Sequence, residues 1–320
     1  MTKIRFFILF SGILSISLCS ATPLRRVHVP SGARWLFHAD IDTLFSSEIG
    51  KLMQQSMRDE HKDQIEALKL LLGIDLTQDI DGITVYGVQA GEENACTLFY
   101  GTFQKEKLLA LLRLNKAYSE SNYNGQTLYY WKDDKSQKNQ VGAFASDDLI
   151  VIGQKESCVI LALDSISGAV ESLAQHQDTP LFSLCNVPVS TFLLAAAEGV
   201  SDLVSDNHQA AILKNSKTLS IVSYEDAGRL NFDINLETEN ETAAVQVEQV
   251  VRGMMAFASL NEKTHPQFTP LLQAATLSRE ANKLICRFNY PSNELFDILK
   301  SLGPANLTAE INGTDAATVQ

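Results

Sequence analysis

The sequence predicts an α+β fold of mostly antiparallel strands with helices packed on one face of the sheet. Short runs of alternating apolar and polar residues, separated by turn residues, indicate half-buried strands. Longer runs with apolar residues at helical spacing indicate amphipathic helices that cover those strands. Two strands joined by a short turn and followed by a helix occur repeatedly along the chain. This order favours hairpins over parallel crossovers.

The first half of the chain contains a predicted strand, two helices, a hairpin, a third helix, three further strands and a closing helix. Turn residues such as Asp81 and Gly82 separate these elements. The predicted bounds are 33–40 for the first strand, 43–57 and 64–72 for the two helices, 83–88 and 96–102 for the hairpin, 105–114 for the third helix, 127–131, 141–145 and 149–153 for the strands, and 157–173 for the closing helix.

The first strand has two chemically different faces. Trp35, Phe37 and Ala39 alternate along it, and we expect these apolar residues to face the core. His38 and Asp40 alternate with them. We therefore expect His38 and Asp40 to lie on a polar face of the same strand.

The second half repeats this order in a shorter form, which predicts an internal duplication. The run 190–196 can be laid on 33–39, a hairpin follows at 219–224 and 229–237, and Asn240 is a good N-cap for the long helix after it. The alternative is one large α+β domain whose halves resemble each other by chance. The remaining predicted elements are a helix at 270–277, a strand at 283–290 and a helix at 291–302.

The N-terminus has the pattern of a secretory signal peptide. Lys3 and Arg5 precede an apolar run at 6–18, and Cys19 and Ala21 place small residues at the two positions that signal peptidase reads. The apolar run is shorter than the roughly 20 residues that a membrane-spanning helix needs. Cleavage is therefore favoured over a membrane anchor.

Cleavage gives a mature chain that begins near Thr22 and works in the periplasm or outside the cell. Lipidation at Cys19 is the less favoured alternative, because Leu18 replaces the small residue that precedes the Cys of bacterial lipoproteins. The tail of the chain is small, polar and aperiodic, which is typical of disorder. The predicted domain plan is a signal peptide at 1–21, two α+β units at 22–178 and 179–302, and a disordered tail at 303–320.

Composition excludes some partners. The chain has 26 basic and 38 acidic residues, and the loss of two basic residues with the signal peptide changes the net charge from −12 to −14. Nucleic acid and anionic membrane surfaces favour clustered Lys and Arg, so we expect neither as a partner. We also expect no stable membrane insertion after cleavage. The expected partner is an unknown protein or polymer.

The sequence leaves the disulfide state open. Four cysteines remain after cleavage, an even number, and none of them has CxxC spacing. Disulfides form in oxidising compartments, whereas a free Cys often packs as a small apolar residue. The four cysteines are Cys96, Cys158, Cys185 and Cys286.

Two stretches of the first half carry a resemblance to a known group. They are 33–42, Ala-Arg-Trp-Leu-Phe-His-Ala-Asp-Ile-Asp, and 76–87, Leu-Thr-Gln-Asp-Ile-Asp-Gly-Ile-Thr-Val-Tyr-Gly. Over about 33–153 the chain resembles uncharacterised signal-bearing proteins of Planctomycetes and Verrucomicrobia type bacteria. Those proteins also follow the first strand with an Asp-started helix and reach the hairpin through an acidic turn. The resemblance implies a secreted location and an α+β fold, and it implies no activity.

His38, Asp40 and Asp42 form the sharpest candidate site. At a period of two, their side chains leave one face of a strand with Cα atoms about 6.5 Å apart. An imidazole and two carboxylates are ligands that Zn, Mn or Fe accepts, so one hypothesis is a hydrolase that depends on one divalent transition metal. The competing interpretation is structural, with Asp42 capping the next helix and His38 hydrogen-bonded to Asp40. On that interpretation, which we favour, the protein has no cofactor.

Tyr129, Tyr130 and Trp131 form the best candidate binding surface. Aromatic residues on a sheet are able to stack on a sugar or to hold a peptide. The commoner arrangement is cross-strand aromatic packing that fills the sheet. The sequence leaves both interpretations open.

The sequence favours a non-enzymatic function. It contains none of the motifs GxSxG, SxxK, HExxH, P-loop or GxGxxG, which excludes most hydrolases that use those mechanisms. Glycosidases need only two spaced carboxylates and are not excluded. Together with the predicted signal peptide, these observations favour a secreted or periplasmic protein that acts through protein or polymer contact.

Overall fold

The computed structural model of the chain describes residues 21–75, 77–204, 213–260 and 269–301. The predicted signal peptide, apart from Ala21, and the predicted tail at 303–320 lie outside these ranges. Twelve described strands form one antiparallel sheet, which confirms the predicted α+β class. The strands are β1 Trp35–Asp40, β2 Ile80–Gly87, β3 Ala95–Gly101, β4 Ser119–Tyr123, β5 Gln126–Lys132, β6 Asn139–Ser146, β7 Leu149–Gly153, β8 Thr191–Glu198, β9 Ser216–Asp226, β10 Arg229–Thr238, β11 Ala275–Glu280 and β12 Lys283–Pro291.

The two predicted units meet at the centre of the sheet. The strand order is β11-β12-β10-β9-β8-β1-β2-β3-β7-β6-β5-β4, and β1 pairs with β8 so that Trp35 is opposite Ala197 and Ala39 is opposite Leu193. Outward from this pair, the order β1-β2-β3-β7-β6 has its counterpart in β8-β9-β10-β12-β11, while β5 and β4 extend one edge. The duplication and its boundary near 178 stay predictions, because a matching strand order does not establish common origin.

Helices lie on both sides of the sheet, and not on one face as predicted. We call the side that carries Leu36 of β1 the α5 face, and the side that carries Phe37 the α4 face. α5 and α6 cover the α5 face of the first half, whereas α1 to α4 and α8 to α10 lie on the α4 face. The helices are α1 Ile41–Ser46, α2 Glu48–Glu60, α3 Lys62–Leu72, α4 Lys105–Leu112, α5 Glu156–Ser167, α6 Pro180–Leu184, α7 Val200–Leu203, α8 Glu241–Leu260, α9 Thr269–Ala274 and α10 at 292–301.

The largest apolar core lies on the α5 face of the first half. Leu98 of β3 and Val151 of β7 are neighbours across the sheet and are fully buried there. The segment 22–33 crosses this face, where the carbonyl of Val29 accepts a hydrogen bond from the Leu173 amide at 2.7 Å. The segment that follows the predicted cleavage site is therefore part of the core.

Two smaller apolar clusters lie on the α4 face. In one, Ile49 of α2 packs with Phe192 of β8 and Leu295 of α10. In the other, Val247 of α8 packs with Leu236 of β10. Because α2 belongs to the first half while β8 and α10 belong to the second, the first of these clusters ties the two halves together.

Two strands at the ends of the sheet differ from the sequence prediction. β4 is mostly exposed and polar, so it lacks the apolar alternation that predicts a strand. β11 begins at Ala275, directly after α9, in a region predicted as one helix at 270–277. At a sheet edge only one side of the strand has a partner, and the apolar pattern is correspondingly weak.

The predicted orientation of β1 is wrong. His38 and Asp40 are 3% and 1% exposed on the α5 face, whereas Trp35 and Phe37 are only half-buried on the α4 face. β1 is a central strand that is covered on both faces, so the alternation of polar and apolar residues does not identify the better-buried side. The polar residues are tolerated inside because they are hydrogen-bonded.

Candidate functional site

α4 is an amphipathic helix whose apolar side faces the sheet. Its charged residues Lys105, Glu106 and Lys107 come first, and four leucines follow between 108 and 112. At 3.6 residues per turn, these leucines form a wide apolar stripe on one side of the helix. Leu109 is buried, which places the stripe over the sheet.

Three neighbouring strands present apolar side chains to α4. Tyr129 of β5 is opposite Gly142 of β6, and Gly142 is opposite Ile152 of β7. Trp131 and Phe144 lie two residues away on the same face, and the Tyr129 and Phe144 rings meet edge to face at 6.0 Å. A Cβ at position 142 would lie 3.1 Å from the Trp131 ring, so Gly142 lets that ring pack closely on the strand.

α4 does not fill the space above these strands. A cavity of about 310 Å³ remains between α4, the end of α3 and strands β5 to β7. We call it the α4 cavity. Its volume falls at the lower end of the range for small-molecule pockets, roughly 300–1,000 Å³. The lining has no charged side chain and consists of Leu72, Leu108, Leu109, Leu111, Leu112, Asn115, Tyr129, Trp131, Gly142, Ala143, Phe144, Ile150 and Ile152.

The side-chain amide of Asn115, which lines the cavity, is hydrogen-bonded to the backbone. Its Nδ2 donates to the Lys132 carbonyl at 2.8 Å, and its Oδ1 accepts from the Ala117 amide at 3.0 Å. These bonds fix the connection between α4 and the following strands. The α4 cavity therefore offers a ligand mainly apolar contact.

Lys105 places a cation beside the cavity. Its Nζ lies 5.1 Å from the centroid of the Phe144 ring, which lines the cavity. The ring quadrupole attracts a cation at this distance. The site thus combines an apolar chamber with an ammonium group at the start of α4.

The end of α3 places apolar side chains both in the cavity lining and at the protein surface. α3 ends at Gly73, whose φ of +70° is the left-handed conformation that favours glycine at a helix C-cap. The preceding Leu72 lines the cavity. The two residues before it, Leu70 and Leu71, are 77% and 55% exposed, so apolar side chains also reach solvent at this end of α3.

The structure does not bring the three predicted metal ligands together. His38 Nε2 donates to the Thr22 carbonyl at 3.0 Å, which leaves Nδ1 of the neutral ring to accept from Thr84 Oγ1 at 2.9 Å. Burial lowers the pKa of His38 and so favours this neutral form. Asp40 accepts from both the amide and the hydroxyl of Thr43, each at 2.8 Å. The predicted hydrogen bond from His38 to Asp40 is replaced by these contacts.

Asp40, and not Asp42 as predicted, is the N-cap of α1. Asp42 lies in the first turn and accepts a hydrogen bond from Thr22 Oγ1 at 3.2 Å. In the part of the chain that the structure describes, no group of three or more His, Cys, Asp or Glu side chains is arranged to hold a metal ion. The metal-dependent hydrolase stays a prediction that none of these contacts supports.

Two of the three aromatic candidates line the α4 cavity. Tyr129 and Trp131 face α4, whereas Tyr130 points to the α5 face, where its hydroxyl lies 2.8 Å from Ser121 Oγ. The leucines of α4 complete the site, although the sequence analysis treats them only as a helical stripe. The sequence could have linked these leucines to Tyr129 and Trp131, because an apolar helix and an aromatic strand occur in the same half of the chain.

The four cysteines are free thiols in the structure. Cys96 and Cys185 are buried, and burial raises the pKa of each to about 12. Burial also raises the pKa of Cys158 and Cys286. Since the thiolate is the reactive form, these four groups are poor nucleophiles at neutral pH.

A polar cleft of about 400 Å³ lies on the α5 face of the second half. Glu237 Oε2 lies 3.7 Å from Lys283 Nζ, and Asp233 Oδ1 lies 3.9 Å from Arg287 Nε. Both carboxylates that line the cleft therefore already face a cation across β10 and β12. We therefore take the α4 cavity as the candidate site.

The comparisons with known proteins give no family. Neither a protein-family model nor a curated protein sequence matches the chain. Within the described residues, no helix combines the length and apolar character that crossing a membrane requires.

Solved structures similar to this chain include three crystal forms of TP0453. Form III has a TM-score of 0.47 at 10% identity and covers 88% of this chain and 99% of TP0453. Form I has a TM-score of 0.44 at 10% identity, and form IV has 0.44 at 9%. Each covers 88% of this chain, and the coverage of TP0453 is 98% and 97%. At these values no property of TP0453 transfers to this chain.

Proposed function

We propose that this chain is a secreted or periplasmic non-enzymatic protein that binds a single acyl chain with an anionic head group in the α4 cavity. The observation that carries the proposal is the lining of the cavity, which is apolar and has no charged side chain. Each Å² of apolar surface removed from water contributes about 25 cal/mol, so a hydrocarbon chain gains most from this lining.

The negative charge of the proposed head group is inferred from the position of Lys105. An ammonium beside an otherwise apolar chamber favours an anionic group on the ligand. The amphiphile would lie along α4 with its chain against Trp131 and Ile152 and its head toward the start of the helix. The exposed leucines at the end of α3 offer the chain an apolar route of entry.

Binding fits the described residues better than catalysis. The lining offers no carboxylate, imidazole or thiol for acid, base or nucleophilic chemistry. A cavity between a helix and a sheet suits a chain-like ligand rather than a folded surface. The protein or polymer partner expected from the sequence stays a prediction.

Leu111→Trp is expected to weaken the binding of dodecanoate by at least about tenfold, because the indole occupies volume that the ligand needs. Isothermal titration calorimetry on delipidated protein measures the effect. The matched control is Leu114→Trp, at a position two residues beyond α4 that is 78% exposed and does not line the cavity. We expect the control to bind as the unmodified protein does. Absence of dodecanoate binding, or equal affinity in both variants, would contradict the proposal.

Lys105→Ala tests the contact with the head group of the ligand separately from the contacts with its acyl chain. We expect it to weaken dodecanoate binding by about 2–5-fold, the effect of losing one exposed ion pair, and to leave the binding of 1-dodecanol unchanged. Equal losses for both ligands would show that Lys105 acts through packing on Phe144. No loss for either ligand would contradict the assigned head-group position.

A further inference from the structure

Thr22 is held in a socket formed by β1, β2 and the start of α1. Its carbonyl accepts a hydrogen bond from the buried His38 ring at 3.0 Å, and its hydroxyl donates to Asp42 Oδ2 at 3.2 Å. A Cβ on Gly82 would lie 3.0 Å from the Thr22 methyl group, so the glycine makes room for it. Ala21, the preceding residue, is exposed. Thr22 is therefore the first buried residue in the part of the chain that the structure describes.

The socket is rich in negative charge. Burial, and then the carboxylate of Asp81, raise the pKa of Asp42 by disfavouring its charged form. The pKa of Asp81 is raised chiefly by its own burial, and Arg25 opposes this shift. Within the described ranges, none of the ion pairs includes Asp42 or Asp81. A cation placed in the socket would relieve this repulsion.

We propose that the chain is cleaved between Ala21 and Thr22 and that the new α-ammonium of Thr22 forms an ion pair with Asp42. A signal peptidase hydrolyses the peptide bond with one water, leaving a carboxylate on Ala21 and an ammonium on Thr22. The Thr22 nitrogen is three bonds from its own hydroxyl oxygen, which places these two atoms about 3–4 Å apart in any rotamer. That hydroxyl lies 3.2 Å from Asp42 Oδ2, so the nitrogen is within about 7 Å of the carboxylate, a gap that rotation of the Asp42 side chain can close. Cleavage thus supplies a cation beside Asp42.

The ion pair would fasten the segment 22–33 to the rest of the core. Val29 is fully buried, Leu24 packs against the same cluster, and the Ser31 amide donates to the Glu171 carbonyl at 2.9 Å. An uncleaved chain would keep a neutral amide at Thr22 and an uncompensated Asp42. Cleavage is therefore expected to stabilise the folded protein as well as to release it from the signal peptide.

The cleavage site is tested by intact mass spectrometry of protein exported with its own leader. We expect a mass that corresponds to residues 22–320. Any other first residue, including a lipid-bearing Cys19, would overturn the proposal. This measurement is independent of ligand binding, so its failure would leave the α4 cavity proposal untouched.

The ion pair is tested by adding Gly-Ser before Thr22 in the unmodified chain and in Asp42→Asn. In the unmodified chain we expect the extension to lower Tm by about 3 °C, the size of one partly buried ion pair in a domain of this length. In Asp42→Asn the extension should change Tm by less than about 1 °C. Asp147→Asn removes the same charge at an exposed position and should keep the full effect of the extension. An extension effect that is absent in the unmodified chain, or that persists in Asp42→Asn, would overturn the proposal.

Discussion

Leu98→Ala is expected to lower the free energy of unfolding by about 2–5 kcal/mol. Leu98 is 0% exposed in the middle of β3, opposite Thr84 of β2 and Val151 of β7. Truncation removes buried apolar contacts, and two paired neighbouring strands prevent the space from closing. Urea unfolding followed by circular dichroism measures the difference.

The matched control is Leu70→Ala, the same substitution at an α3 position that is 77% exposed. We expect its effect to stay within about 0.5 kcal/mol. A loss for Leu98→Ala of less than about 1 kcal/mol would contradict the burial of this position at the centre of the core.

Much of the fold follows from local sequence patterns. The hairpin of β9 and β10 and the long helix α8 are close to their predicted bounds, because alternation and helical spacing are strong there. Asn240 caps α8 as predicted, with its Oδ1 2.9 Å from the Ala243 amide. Local patterns do not predict that all the strands join into one sheet, since the β1–β8 pairing connects residues about 160 positions apart in sequence.

The candidate site was only partly predictable. The sequence singles out Tyr129 and Trp131, and a period of two excludes Tyr130 from their face once the strand is known. The cavity itself depends on how far α4 stands from β5 to β7, which no local pattern encodes. His38 and Asp40 illustrate the opposite error: their residue types suggest a metal site, yet the buried surroundings use their hydrogen-bonding atoms for the fold.

β7 carries its fully buried core residues and its cavity residue on opposite faces. On the α5 face, β3 and β7 carry fully buried residues such as Leu98 and Val151. On the α4 face, β7 carries Ile152, which lines a cavity. Substitutions on the two faces should therefore have different effects. Leu98→Ala is expected to lower stability with little direct effect on ligand binding, whereas Leu111→Trp is expected to block ligand binding in a folded protein.

Glu225 of β9 holds the N-terminus of α2. Its Oε1 accepts from the Glu48 amide at 2.7 Å, and its Oε2 accepts from the Ile49 amide at 2.9 Å and from the Ser292 hydroxyl at 2.7 Å. Burial acts to raise the pKa of Glu225, but these hydrogen bonds outweigh it and the pKa lies below its ordinary value. One carboxylate thus links a helix of the first half to a strand and a helix start of the second.

Glu225→Gln is expected to cost about 1.5–3 kcal/mol of unfolding free energy at pH 7, because the amide NH₂ replaces an acceptor and faces a backbone donor. A lowered pKa means that the carboxylate contributes stability above about pH 5, and that this contribution is lost as pH falls through its folded pKa. Urea unfolding between pH 7 and 3 should therefore show the two proteins converging in acid. Glu239→Gln, at an exposed position next to β10, is the control and should track the unmodified protein throughout. A difference for Glu225→Gln that stays constant with pH would mean that packing, rather than the charge on Glu225, holds α2 in place.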